Sequence, residues 1–244
     1  IHSDPKKLIK EKSKIWLFLS YFSFSFIDHC IVFSKESKKR LPLLAQNKSL
    51  IIPNVSSEPL VIKKNYKEKN IIMVGSLISV KNHKFVINNF SQIIKKFPEW
   101  KLTIIGDGPL RNYLKILIKK KNLSKNIFLV GNKKNVFKYY YRSSIFLLSS
   151  ISEGMNLSLI EAIKCGLPVI SSNCSLSHKN LISHNCNGYL FNQNSKKEFL
   201  KHLTVLINSE KKRKQFGLTS IKMSKKFKNK FILEQWSKIL EKGN

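Results

Sequence analysis

Two glutamates, Glu153 and Glu161, stand eight positions apart in "SSISEGMNLSLIEAIKCGLPVISSN", residues 149 to 173. The whole chain carries only 14 acidic residues, and the positions between these two are otherwise apolar or small. One reading is structural. Ser158 and Glu161 match the S-x-x-E capping box, in which Glu161 stands at the third helical position and bonds a backbone N–H, while Glu153 is a solvated loop charge. The other reading is chemical. Eight residues of helix rise about 12 Å, so the carboxylates bracket a helix's first two turns. Between them point backbone N–H groups at the positive end of the helix dipole, which suits a phosphate. A ligand with hydroxyls at both ends and a diphosphate between them fits this arrangement. That ligand is a nucleotide-sugar, with Glu153 accepting from the sugar hydroxyls and Glu161 from those of the ribose.

The surrounding elements position the pair. "IFLLS" (145–149) reads as a strand, "SISEGM" as a loop, and the helix runs from about Asn156 to Cys165. Gly166 closes it and Pro168 opens the next strand. In such a βαβ unit the loop and the helix N-terminus lie at the carboxyl edge of the sheet, where open α/β sheets bind ligands. The same grammar recurs along the chain. Strands are expected at 70–74, 102–105, 127–130, 145–149 and 168–172, with helices near 82–96, 109–121, 134–142 and 156–165. Continuous apolar strands alternating with helices predict a doubly wound parallel α/β sheet covered on both faces. A smaller piece precedes it: a long helix, a strand "HCIVFS" (29–34), a helix over 35–46 and a strand over 49–53. The polar, aperiodic stretch 54–70 reads as a linker. The tail "ILEQWSKILEK" (232–242) puts Ile232, Trp236 and Ile239/Leu240 on one helical face, which suits packing on a neighbouring domain.

Composition narrows the function classes. An apolar fraction of 42% is that of a folded globular protein. The most apolar early run, Ile15 to Ile27, carries three serines and is shorter than the roughly 20 residues of a membrane-spanning helix. Residues 1–14 are Lys-rich and unlike a targeting signal, and an opening Ile suggests a fragment whose beginning is lost. Cys30, Cys165, Cys174 and Cys186 form neither a C-x-x-C pair nor a His-spaced metal pattern, so they read as reduced thiols of a cytoplasmic protein. The net charge of +31 comes almost wholly from lysine; arginine is confined to Arg40, Arg111, Arg142 and Arg213. Lysine, isoleucine and asparagine are what an AT-rich coding sequence supplies. The lysines are also spread along the chain rather than clustered, so the charge alone does not single out an anionic partner.

The stretch 149–173 resembles the E-x7-E signature of glycosyltransferase family 4, the retaining enzymes of the GT-B fold. The resemblance extends in order through "VGSLISVKNH" (74–83), "LTIIGDGPLRNYL" (102–114), "IFLVGNKKNVFKYYYRSSIFLLSS" (127–150) and "NGYLF" (187–191). Upstream, "DHCIVFSKESKKRL" and "LIIPNV" are similar to the end of the family's N-terminal domain and its linker. The resemblance implies a Rossmann-like C-terminal nucleotide-sugar domain over residues 70–225 and a linker over 56–69. Residues 1–55 become a remnant of the acceptor-side domain, and 226–244 a helix packing back on that domain.

It also implies roles. Lys81 contacts the donor diphosphate and stabilises the leaving group, in a loop begun by Gly75 and Ser76. The backbone around Gly154, Met155, Asn156 and Leu157 holds sugar and phosphate, and Gly131 and Asn132 lie beside the nucleobase. Glu153 and Glu161 act as described, with Ser158 still available as a helix cap. His2 is the active-site histidine of the N-terminal domain. The implied reaction moves a sugar from a nucleoside diphosphate to a hydroxyl of a lipid-linked or saccharide acceptor. It proceeds with retention and without a cofactor or metal. No protein nucleophile is needed: the acceptor attacks on the face the phosphate leaves, and the phosphate takes its proton. The expected location is cytoplasmic, with the basic surface compatible with peripheral contact at the inner membrane face. Two departures stand out: Ser76 replaces the family's usual arginine, and "SLSHK" (175–179) replaces a frequent Gly-Pro loop, so that His178 and His184 read as ordinary loop histidines. As recorded, the chain is expected to carry the donor site and to be inactive by itself. A nucleotide-sugar-binding module without activity is the nearest alternative. A basic nucleic-acid or anionic-surface binder would need stacking aromatics beside grouped lysines, for which only Tyr139, Tyr140 and Tyr141 offer themselves; nucleic acid is not expected as a partner.

Overall fold

The computed structural model describes residues 22–33, 35–39, 41–59 and 64–241. His2, the Lys-rich opening and residues 15–21 of the apolar run lie outside them. The described chain contains two parallel sheets. The smaller pairs β1 (Cys30–Val32) with β2 (Ser49–Ile51), in register Cys30 to Ser49. The single helix expected between them is broken into α1 (Lys35–Lys39) and α2 (Leu43–Asn47). Pro42 is the cause: it adopts an extended ψ of 150° at the start of α2, and a proline cannot donate to the preceding turn. The core of this sheet is Cys30, Val32, Leu41 and Ala45, with Phe24, Ile27 and Ile51 partly buried against it.

The larger sheet has six strands: β3 (Asn70–Val74), β4 (Lys101–Ile105), β5 (Ile127–Gly131), β6 (Ile145–Leu148), β7 (Val169–Ser172) and β8 (Gly188–Phe191). Every pairing is parallel and the order is β5-β4-β3-β6-β7-β8. Crossovers are made by α3 (His83–Lys96), α4 (Arg111–Lys120), α5 (Phe137–Tyr141), α6 (Leu157–Lys164) and α7 (Leu176–Leu181). After β8 come α8 (Lys196–Asn208), α9 (Glu210–Ser224) and α10 (Asn229–Leu240). The predicted strands and crossover helices are all present within a few residues of their expected ends. β8, α7, α8 and α9 lie beyond the expected elements.

Successive side chains of a strand face opposite ways, and the core divides accordingly. Ile71 and Met73 of β3 join Phe90, Trp100, Ile104 and Phe199 on one face. Ile72 joins Ile105, Phe146, Ile160 and Val169 on the other. Burial on both faces is why the strands read as unbroken apolar runs. Among the described residues no helix is long and apolar enough to cross a membrane.

The segment expected to be a linker is fastened at several points. Tyr66 is buried and donates its hydroxyl to the Gly166 carbonyl at 3.0 Å. Its own carbonyl accepts from Arg213 Nε and Nη2 at 3.0 and 2.8 Å. Helix α9 comes so close here that a Cβ on Gly217 would lie 2.2 Å from the Tyr66 hydroxyl and 2.3 Å from the Gly166 carbonyl oxygen. Glu58 pairs with the buried ammonium of Lys164 at 2.9 Å and accepts from the Asn229 N–H at 2.9 Å, tying the segment to α6 and to the start of α10. α10 begins three residues before the expected tail helix. Ile232 is buried and Trp236 and Ile239 are partly covered, but Leu240 is exposed, so the apolar face is narrower than its spacing suggested. Ile239 lines a cavity of about 290 Å³ with His29, Leu50, Ile51 and Ile52 of the smaller sheet.

Candidate functional site

In the order β5-β4-β3-β6-β7-β8 the chain winds outward in one direction from β3 and in the other from β6. The loops after these two strands therefore flank the point where an open α/β sheet leaves a crevice at its carboxyl edge. After β3 the chain runs through Gly75 and Ser76 into a 3-10 turn at Ser79–Lys81 and, with Asn82 in the left-handed region (φ 53°), enters α3. After β6 it runs from Ser149 to Asn156 and enters α6.

The two loops are stitched together. The Ile151 N–H donates to the Val80 carbonyl at 2.7 Å, and Ser149 Oγ donates to the carbonyls of Lys81 and Asn82 at 2.9 and 3.1 Å. This brings Lys81 Nζ to 2.6 Å from Glu153 Oε1, with the two side chains 19% and 10% exposed. Ser150 Oγ donates to the same carboxylate oxygen at 2.5 Å. The Ser150 carbonyl in turn accepts from Ser172 Oγ at 2.6 Å, at the end of β7. A third loop joins from the end of β8, where Gln193 Nε2 donates to the Ile151 carbonyl and Asn82 Nδ2 lies 3.2 Å from Asn194 Oδ1. Glu153 is thus a partly buried carboxylate held by an ammonium and a hydroxyl, and the solvated-loop reading of it fails.

The capping box fails too. The cap of α6 is Asn156, whose side-chain oxygen accepts from the Leu159 N–H at 3.1 Å. Ser158 is already inside the helix and donates to the Val74 carbonyl at 2.9 Å and to Asn156 Oδ1 at 2.6 Å, fixing α6 against the end of β3. Glu161 is consequently the fifth helical residue, past the turn whose N–H groups a capping carboxylate could reach. It meets Tyr140 instead, whose hydroxyl donates to Glu161 Oε2 at 3.0 Å. Burial pushes the Glu161 carboxyl up, against the Tyr140 hydrogen bond and the nearby Lys164, which favour the ionised form.

The other expected residues fall along the same edge. Gly75 donates its N–H to the Ile105 carbonyl at 2.9 Å, and a Cβ on Gly106 would fall 2.0 Å from the Gly75 oxygen, so the loops after β3 and β4 touch backbone to backbone. Ser76 is exposed. Gly131 is buried with φ 77° and accepts from the Gly106 N–H at 3.0 Å, while Asn132 is exposed at the far side of the edge. Beside Gly131, Arg111 pairs with Asp107 at 3.2 Å and donates to the Leu129 carbonyl at 3.2 Å; sequence reading did not single out this pair. Gly154, Met155, Asn156 and Leu157 lead into α6, with Met155 Sδ 3.3 Å from the Asn54 nitrogen of the segment between the sheets.

Two histidines near the site differ from expectation or were not foreseen. His178 lies on α7, not in a loop. It is fully buried, with Nδ1 3.0 Å from Ser171 Oγ and 3.2 Å from the Ser172 carbonyl oxygen, and burial lowers its pKa. His184 remains exposed outside any helix or strand, bridged to Gly188, and its Nδ1 accepts from the Leu190 N–H at 3.2 Å. His83, the first residue of α3, is buried beside Lys81, and burial, then the ammonium, bring its pKa down to about 4. Cys174, just after β7, has its thiol pushed up to about 12 by burial, which keeps it protonated and a poor nucleophile.

The family described as glycosyl transferases group 1 matches residues 54–223, most of the chain. The chain belongs to this family. An uncharacterized glycosyltransferase of Haemophilus influenzae is 36% identical over 174 residues, covering 71% of this chain and 49% of that protein. A Campylobacter jejuni relative, named an alpha-1,4-N-acetyl-D-galactosaminyltransferase acting on a glycan on diphosphoundecaprenol, is 28% identical over 242 residues, 98% of this chain and 66% of its own length. Among solved structures, TarM of S. aureus, crystallised with fondaparinux, alpha-GlcNAc-glycerol and UDP, superposes with a TM-score of 0.80 at 23% identity, over 88% of this chain and 44% of that one. That likeness shows the fold: a parallel-sheet, Rossmann-like α/β architecture of GT-B type. The chain spans about half the length of the curated relatives it matches first.

Proposed function

We propose that this chain carries the donor half of a retaining glycosyltransferase of family 4, which moves a sugar from a nucleoside diphosphate to a hydroxyl of a saccharide or lipid-linked acceptor. The observation that carries the reading is the Lys81–Glu153 pair at 2.6 Å, formed where the loops after β3 and β6 meet at the sheet's switch point, with α6 opening directly behind it. In this reading the donor diphosphate lies between Lys81 and the first turn of α6, where cation and helix dipole both favour negative charge. The sugar hydroxyls donate to Glu153, which until then holds the ammonium in place. Glu161, two turns on, accepts from the ribose, and Gly131 and Asn132 border the base.

As the bond from the sugar's anomeric carbon to the phosphate oxygen breaks, negative charge grows on the diphosphate. Lys81 is worth most at that moment. The acceptor oxygen bonds the same carbon on the same face, and its proton passes to the departing phosphate. The domain division of the chain, with 70–225 binding the donor and 1–55 and 226–244 belonging to the acceptor side, is part of this proposal. So are His2 as a sugar contact and peripheral membrane association on the cytoplasmic side. The Campylobacter jejuni relative's named substrate supports a lipid-diphosphate acceptor.

Calorimetry with UDP and a UDP-sugar tests the site. Glu153→Gln should weaken the UDP-sugar more than UDP, whereas equal losses contradict the role given to Glu153. In a form that turns over, NMR of the product should show the donor's anomeric configuration preserved, and EDTA should leave the rate unchanged. An inverted product overturns the mechanism.

A further inference from the structure

Glu161 cannot be held by the helix that carries it. It lies beyond the first-turn N–H groups of α6, and its Oε1 makes no hydrogen bond among the described residues. A long side chain left to rotate at a helix surface loses rotamer freedom on gripping a ligand, and that loss subtracts from affinity. The only hydrogen bond that restrains its carboxylate among the described residues comes from Tyr140, on a different helix, 21 positions away in the chain.

Tyr140 is built as a fixed arm. Its ring is fully buried, 5.9 Å from the Phe137 ring and 6.2 Å from that of Phe146. Its backbone is gripped as well: Lys64 Nζ donates to the Tyr140 carbonyl and, at 3.1 Å, to that of Tyr141. The hydroxyl then faces two oxygens, Glu161 Oε2 at 3.0 Å and the Ser158 carbonyl at 3.2 Å. With one proton to give, it favours the carboxylate, since hydrogen bonds to ionised acceptors are the stronger ones. One carboxylate oxygen is thereby pinned and the other is left to accept.

We propose that Tyr140 is a positioning residue of the donor site: its hydroxyl fixes Oε2 of Glu161 so that Oε1 is presented to the vicinal hydroxyls of a ribose, and the site thereby selects ribonucleoside over deoxyribonucleoside diphosphates. The proposal rests on the reading of Glu161 as the ribose contact. In this arrangement Tyr140 does not contact the ligand and acts on it through Glu161. Its removal therefore affects only that part of the ligand which Glu161 reaches.

The test is calorimetry on the intact chain with three probes: UDP, 2′,3′-dideoxy-UDP and inorganic pyrophosphate. A hydrogen bond to a charged acceptor predicts that wild type prefers UDP over the dideoxy form by about tenfold or more. Tyr140→Phe keeps the ring and its packing and removes only the hydroxyl. It should bring the UDP-to-dideoxy ratio to within about threefold of unity, while pyrophosphate affinity stays within about twofold. A purely structural tyrosine would weaken all three probes alike, and that result overturns the proposal. Glu161→Ala separates the layers. If it abolishes ribose preference while Tyr140→Phe preserves it, Glu161 keeps its role and the role of Tyr140 falls. If Glu161→Ala itself leaves the preference intact, the ribose reading fails and the proposal with it. Tyr140→Leu, which removes ring and hydroxyl together, should abolish the preference as Tyr140→Phe does; a preference retained in either variant overturns the proposal.

Discussion

The two sheets of this molecule are both parallel and both begin with a short apolar strand, yet they differ in what they can hold in place. The six-stranded sheet is buried on both faces, and its carboxyl-edge loops are bonded to one another by Ser149, Ser150, Ser172 and Asn82. The two-stranded sheet rests on four buried residues and is bordered by a cavity against α10. A site that must keep an ammonium and a carboxylate in contact while leaving both reachable needs the first kind of scaffold. Rigid strands bring the loops to one edge, and short polar side chains lock the loops where strands end.

Truncating the core of each sheet should show the largest difference. Phe146→Ala, in the middle of the six-stranded sheet, is expected to cost about 3–5 kcal/mol and to abolish nucleoside diphosphate binding with it. Val32→Ala, in the smaller sheet, is expected to cost about 2 kcal/mol and to leave that binding unaltered. Urea unfolding followed by calorimetry measures both; loss of binding in Val32→Ala would show that the small sheet shapes the donor site.

Acid should expose the next difference. His83, beside Lys81, titrates near 4 in the folded protein because burial disfavours its charged form, against about 6.5 when unfolded. Between those values the unfolded chain binds the extra proton, so stability falls as pH drops from about 6.5 to about 4, by roughly 3 kcal/mol in total from this residue. Urea midpoints across that window should flatten in His83→Gln. An unchanged slope would remove His83 as the cause.

Gly217→Ala should disturb the seat of Tyr66 without reaching the site. The added methyl meets the Tyr66 hydroxyl and the Gly166 carbonyl, an overpacking worth about 1–3 kcal/mol, read as a lower melting temperature with UDP affinity intact. The smallest effect is expected at Ser76, which is exposed. Ser76→Arg supplies a cation beside the diphosphate position and should tighten UDP by about 1 kcal/mol, an amount reduced by solvent screening. Weaker binding in this variant would place the phosphates elsewhere.

Much of this was legible in the chain. The apolar runs of β3, β4, β6 and β7 mark strands buried on both sides, and glycines and prolines such as Gly166 and Pro168 mark where they start and stop. The carboxyl-edge position of Glu153, Lys81 and Gly131 follows from that alternation. What escaped depends on contacts between distant residues. Ser158 and Asn156 are both good caps by type, and only the nearness of the Val74 carbonyl decides that Ser158 turns away and Asn156 caps. Tyr66 and Gly166 are 100 positions apart, so a polar, aperiodic stretch read as a loose linker although one of its residues is buried in the protein. Tyr140 was seen only as part of an aromatic run, because nothing in helical spacing joins it to Glu161. In the small sheet Pro42 was the available signal for two helices instead of one.

The central claim is that the Lys81–Glu153 pair marks a nucleoside diphosphate site at the switch point of the six-stranded sheet. Calorimetric titration of UDP into wild type and Lys81→Ala tests it most directly, with melting temperature as the control for folding. Loss of one charge-assisted contact should weaken UDP by about 1.5–3 kcal/mol, roughly 10- to 100-fold, with melting little changed. Equal UDP affinity in the two proteins would mean that the diphosphate does not bind at this pair, and the account of the site would fall.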